Sequence, residues 1–175
     1  AEYLGATQMS FMVGLSYTML GLGHYFLGDL ATSQKNAERA MEIHKGTGIS
    51  FYVSFTHLLL GMINLQSGNP SNARASFEQG LKLAQENDEK WIKALAMIWL
   101  GRCTNHADVS QLETAKQTIL QGIQIFDELQ SRPYVAIGHL LLGETLVQVG
   151  RKQETMQNLK KAEAMFSEMG MDYWL

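Results

Sequence analysis

The chain has a single cysteine, Cys103, among its 175 residues, so no internal disulfide can form. That excludes the disulfide framework of small secreted domains and fits a reducing compartment, the cytoplasm. No apolar run approaches the roughly 20 residues that a helix needs to cross a bilayer. Basic excess is missing as well. Lys and Arg number 14 against 17 Asp and Glu, for a net charge of −3, which leaves no electrostatic footprint for nucleic acid. No secretory leader is visible, and the chain opens at Ala1 rather than Met, so it reads as an excised piece. No linker or low-complexity tract interrupts it.

What is present is ordinary in bulk and regular in order. With 46% hydrophobic and 18% charged residues, the composition is that of a soluble globular protein, with one domain as the starting expectation. A Leu-Gly pair recurs at Leu20-Gly21, Leu60-Gly61, Leu100-Gly101 and Leu142-Gly143, at intervals of 40, 40 and 42 residues. Each pair sits within an apolar run, followed by a break and a second run carrying a small residue. Self-similarity on this scale marks a helical solenoid.

Taken in order, residues 1–4 read as the last turn of a preceding helix, ahead of Gly5. A first helix is expected over about 7–27 and stopped by Gly28, with Asp29 as the cap of a second over about 30–44. The next pair spans about 51–66 and 71–85, with Asn69 as N-cap and Pro70 at the first helical position. In the third pair, about 90–106 and 111–130, two residues are inserted near the turn at 107–110, and Ser110 with Glu113 spells a capping box. Ser131-Arg132-Pro133 opens the fourth pair, about 134–149 and 152–168, closed by Gly170. Residues 171–175 look like a fifth unit cut short. The expected organisation is one array with units 7–46, 47–86, 87–130 and 131–170, and partial units at 1–5 and 171–175.

The spacing resembles the tetratricopeptide repeat: a bulky residue, two others, Leu-Gly, and later a small residue, three others and a large apolar one. Tyr17, His57, Met97 and His139 hold the bulky slot, and Ser33, Ala73, Ala115 and Thr155 the later small one. The aromatic that the family carries after the glycine is missing in every unit, and the period is longer than usual, so the helices are about a turn longer. Units of this length, opened by an aromatic pair, resemble arrays attached to bacterial signalling ATPases, nucleotide cyclases and maltose-regulator-like transcription activators. The resemblance implies an all-α fold, a right-handed superhelical solenoid of antiparallel helix pairs.

It also implies that first helices line a concave surface. Steps of three and four residues give one stripe per first helix. These are Leu15, Thr18, Leu22 and Tyr25; Phe55, Leu58, Met62 and Leu65; Leu95, Ile98, Arg102 and Asn105; and Ile137, Leu140, Glu144 and Val147. An apolar groove of that size would hold a helix or other apolar segment of a partner. Burial of the same stripes as core is the competing expectation. The carboxylate clamp of chaperone-binding tetratricopeptide domains is not expected, since Thr18, Leu22, Leu58 and Met62 stand where it needs Lys, Asn and Arg.

Chemistry-bearing patterns are weak. The five histidines show no metal-ligand spacing, and His57 and His139 fall in the packing slot of the repeat. Gly21 and Gly23 with Gly28 lack the strand and third glycine of a nucleotide loop. Cys103 has only Arg102 beside it and reads as a small packing residue. The sequence therefore predicts no catalytic residues, no metal and no cofactor. The expected function is a scaffold that binds a protein or peptide, with no nucleic acid and no membrane. A regulatory segment of a larger signalling protein, acted on by another domain of the same chain, is the alternative. Self-association through the ends of the array is a further expectation.

Overall fold

The structure is a computed structural model and describes residues 2–47, 51–107 and 111–174, with side chains at 2–9, 47 and 104–107 left out. Among the described residues there are eight α-helices and no strand. They are α1 (Glu2–Phe26), α2 (Leu30–Thr47), α3 (Val53–Gln66), α4 (Pro70–Glu86), α5 (Lys90–Ala107), α6 (Leu112–Glu128), α7 (Arg132–Val147) and α8 (Lys152–Met169). A 3-10 turn, Asp172–Trp174, follows. The chain forms two compact units, Ala1–Ile92 and Lys93–Leu175, with the boundary inside α5.

The helices are cut at a regular interval. Left-handed backbone ends helices at Gly28, Gly68, Asp88, Gln130, Gly150 and Gly170, at steps of 20 residues (one helix plus its turn) or, from Gly28 to Gly68 and from Asp88 to Gln130, of 40 and 42 (two). At each, the amide that follows turns back onto the preceding helix. Asn69 N bonds Asn64 O at 2.9 Å, and Ser131 N bonds Phe126 O at 2.9 Å. Such turns satisfy carbonyls that the helix end leaves without an intrahelical partner.

Second helices are one-sided. α4 buries Ala73, Phe77, Gly80 and Ala84, and α6 buries Ala115, Ile119, Gly122, Ile123 and Phe126, a single stripe at helical spacing in each case. First helices are packed more fully. α3 buries Ser54, Phe55, Thr56, Leu58, Leu59, Gly61, Met62 and Ile63, which cover more than one face.

Within a pair the helices run antiparallel and cross closely at the Leu-Gly element. A Cβ added at Gly61 would lie 2.4 Å from Phe77 Cε1, and one at Gly101 would lie 2.6 Å from the Ala115 carbonyl oxygen. At Gly21 the small partner also bonds, since Ser33 Oγ donates to Gly21 O at 2.8 Å. A second close crossing was not read from the sequence. Gly80 lies against Ser54 O, and Gly122 against Ala94 O, one helical turn or more from the first crossing. In each of these two pairs, close approach of the backbones requires small residues at both points.

Several local expectations change. α1 runs through Gly5, so residues 2–4 belong to it rather than to a preceding helix. A helical glycine costs about 1 kcal/mol relative to alanine, too little to stop a helix alone. Asp29 caps α2 as expected, accepting Thr32 N–H at 3.0 Å. Asn69 stands at the N-cap of α4 but makes no side-chain cap bond, so Pro70 opens the helix without it. Ser110 and the inserted residues before it, 108–109, lie outside the described residues.

Candidate partner-binding surface

The sixteen stripe residues divide by burial. Thr18, Phe55, Leu58, Met62, Leu95 and Ile98 are buried, with Leu58 and Ile98 at 0% exposure, so these six are core rather than an open groove wall. The cause is visible in the first unit, where α3 packs on α1 and α2 as well as on α4. Thr18 and Thr56 share a hydroxyl hydrogen bond of 2.7 Å in that packing. Leu15, Leu22, Tyr25, Leu65, Arg102, Ile137, Leu140 and Glu144 are half-buried, and Val147 is exposed. The side chain of Asn105 lies outside the described ones.

In the first unit Leu22 and Tyr25 lean on the buried cluster of Ala37, Leu59 and Ile63. Phe26, exposed, meets the Tyr25 ring edge-on at 5.6 Å. In the second unit the stripe ends are polar and tied together. Arg102 pairs with Glu144 at 2.9 Å and lies over the Trp99 ring at 5.3 Å. Ile137 and Leu140 rest on Ala136, Ala162 and Phe166 beside Met165, Met169, Met171 and Trp174. Each stripe thus divides turn by turn between core and surface, a division that periodicity alone does not encode.

A groove of about 710 Å³ lies elsewhere in the first unit, between α2 and α4. Gln34, Glu38, Glu42, Asn72 and Ser76 form its walls, with Leu60 and Asn64 of α3 between them. Three of these are committed to neighbours, Gln34 donating to Glu38 at 2.7 Å and Glu42 pairing with Arg39 at 2.8 Å. Sequence reading missed this groove because its residues are ordinary solvated second-helix positions.

Titratable groups are structural in setting. His139 fills its packing slot, with Nδ1 2.8 Å from Asn158 Oδ1 and Nε2 buried without a hydrogen-bond partner. Burial holds its imidazole below the usual range, and Lys161 adds to this against the opposing Asn158 bond. Burial lowers His44 and His57 too. In the second unit Lys116, Arg151, Glu113 and Glu154 join α6 to α8, with Lys116 Nζ 2.5 Å from Glu154. Lys116 and then Arg151 hold the Glu154 carboxyl below its ordinary value. Among the described residues no cluster of three or more His, Cys, Asp or Glu could hold a metal ion, and no helix is long and apolar enough to cross a membrane.

Comparison with known proteins supports the same architecture. No curated protein matches. Aspartyl phosphate phosphatase F from Bacillus subtilis is similar in structure, at a TM-score of 0.70 and 18% identity, over 91% of this chain. This chain spans 42% of that protein. The family profile described as Tetratricopeptide repeat matches residues 56–87, which are α3 from its first turn, the Gly68 turn and α4. With Leu-Gly crossings recurring in four helix pairs, the chain has a tetratricopeptide-like helical-repeat fold, and residues 56–87 match that family's profile.

Proposed function

We propose that this chain is a protein-interaction module that holds a protein segment against the open ends of its first-helix stripes. The observation that carries this is the division of those stripes. Their central turns are core, while Tyr25 and Leu65 in one unit and Arg102, Glu144 and Val147 in the other stay partly open. An ordered array that leaves apolar and charged side chains in reach, on rigid helices, offers what a helix or extended peptide needs. The test is the pair Tyr25→Ala with Leu65→Asp. Partner binding should be lost while a cooperative thermal transition persists, at a melting temperature lowered by the lost contact of Tyr25 with the Ala37, Leu59 and Ile63 cluster. Retained binding would place the partner elsewhere.

A second reading is a regulatory segment of a larger signalling protein, in the cytoplasm of a bacterium. It is favoured by the likeness to a longer protein named for acting on aspartyl phosphate, of which this chain spans 42%. In that reading the bound segment comes from the same polypeptide. Cross-linking of the intact parent protein separates the two, since links from these residues to another domain of the same chain appear only in the second.

A further inference from the structure

The groove between α2 and α4 has an equivalent in the second unit. A shift of 82 residues carries α2, α3 and α4 onto α6, α7 and α8, and sets Leu60-Gly61 over Leu142-Gly143. The same shift sets Gln34 and Asn72, on opposite walls of the groove, over Lys116 and Glu154. In the second unit these two join α6 to α8 at 2.5 Å, and Arg151 joins Glu113 beside them at 3.1 Å. The first helix beneath is covered, with Leu142 and Leu146 at 1% and 0% exposure, and Ile123 on the α6 wall is buried. In the first unit the equivalents of these three, Leu60, Asn64 and Met41, are half-buried, and Glu38 on the same wall is exposed. Each groove is built from the same three helices. The difference therefore lies in the side chains and not in a missing neighbour.

The open groove has a definite chemistry. Gln34 bonds along its own helix to Glu38, and Asn64 Nδ2 donates to Leu60 O at 2.8 Å. The Asn64 carbonyl and the Asn72 amide keep their bonding capacity for an occupant. Arg39 neutralises Glu42, while Glu38 has only the neutral Gln34 amide and no cationic partner among the described residues. Lys45 stands at the far end, seven residues or about two turns beyond Glu38. The α2 wall from Gln34 to Lys45 is about 16 Å long, the length of about five residues of extended chain. We propose that this groove binds an extended segment of a partner protein through a lysine or arginine side chain. The aliphatic stem lies on Met41 and Leu60, and the charged head meets the Glu38 carboxylate and the Asn72 amide. The occupant thus does between α2 and α4 what Lys116 does between α6 and α8. The site shares no residue with the first-helix stripes, so it stands or falls apart from them.

The probe is an N-acetylated, C-amidated pentapeptide of alanine with a central lysine. Its control carries norleucine there, which keeps the stem and lacks the charge. Added to the nitrogen-15-labelled chain, the lysine peptide should move the side-chain amide signals of Gln34, Asn64 and Asn72 to saturation, and the control should not. Glu38→Gln, at an exposed position, should weaken binding about tenfold. Gln34→Lys with Asn72→Glu installs the bridge of the second unit and should abolish binding, with an unchanged helical circular dichroism spectrum. No saturation up to about 5 mM, beyond the range of even weak specific sites, overturns the proposal. So does an equal response to the norleucine peptide, or a Glu38→Gln variant that binds as the parent chain does. Butylammonium binding as tightly as the lysine peptide would overturn the peptide occupant, because the groove would then hold a free amine.

Discussion

Glu89 Oε1 accepts the Tyr52 N–H at 2.6 Å, from 37 residues further along the chain. Its second oxygen accepts the Ser54 hydroxyl, and Asn87 Nδ2 stands 3.4 Å from the first. Tyr52 is the N-cap of α3, in left-handed backbone at φ 60 and with no side-chain cap of its own. A carboxylate from the α4–α5 turn therefore caps the helix of the same unit that lies one turn back in the fold. An anion there is favoured by the exposed amides and by the helix dipole.

Glu89→Ala should cost about 1–3 kcal/mol, because it strands the part-buried Tyr52 amide and the buried Ser54 hydroxyl. Glu89→Gln, which keeps one acceptor oxygen, should cost less. Urea unfolding of both variants checks this, and amide exchange at Tyr52 should quicken in the alanine variant. Equal stability of alanine variant and parent would show that water caps α3 as well as Glu89 does.

Gly61→Leu should destabilise by about 1–3 kcal/mol, since even a Cβ there meets the Phe77 ring at 2.4 Å. Phe77→Leu alone leaves a cavity, but in the double variant the smaller partner makes room. A double-mutant cycle by thermal unfolding should therefore show favourable coupling between the two positions, and additive losses would count against direct contact at the crossing.

Leu58→Asp with Met62→Asp separates core from groove. Leu58 is 0% and Met62 4% exposed, so each change puts a carboxylate into an apolar interior without a partner. The expected outcome is loss of the cooperative thermal transition. Val147→Asp, at an exposed position of the same stripe pattern, should melt with the parent chain.

Stability should fall as the solution is acidified through the imidazole range. Burial depresses the folded-state pKa of His139, and of His44 and His57, below the ordinary value. A depressed imidazole favours the neutral form in the folded state. Its contribution is therefore whole above about pH 6.5 and is lost as pH drops toward the folded-state value. Urea midpoints taken at pH 7.5 and at pH 5 measure the loss, and His139→Gln should flatten the difference in part.

Gln130 holds left-handed backbone at φ 53 in an exposed turn, where Gly28, Gly68, Gly150 and Gly170 stand in equivalent turns. Gln130→Gly should raise stability by up to about 1 kcal/mol by removing the Cβ clash of that conformation. The reverse change, Gly150→Ala at φ 74, should lower it. Opposite shifts in melting temperature are the expected readout.

The repeat and its helices were legible in the residues themselves. Helix formation and termination are local: apolar residues at three- and four-residue steps, turn glycines, Asp29 and Pro70 mark them without knowledge of neighbours. The Leu-Gly element announced close crossings because a missing Cβ means the same thing wherever two backbones meet. Tertiary structure decided the rest. First helices such as α3 are apolar on more than one face, so periodicity alone could not say whether Leu58 met water or another helix. That depends on which layers cover it. The cap that Glu89 places on α3 joins residues 37 apart, and no local pattern encodes such a bond. Likewise Met19 and Leu59 occupy the same place in the repeat, yet one is 47% exposed and the other 1%, because burial belongs to the neighbour that a residue finds and not to its own side chain.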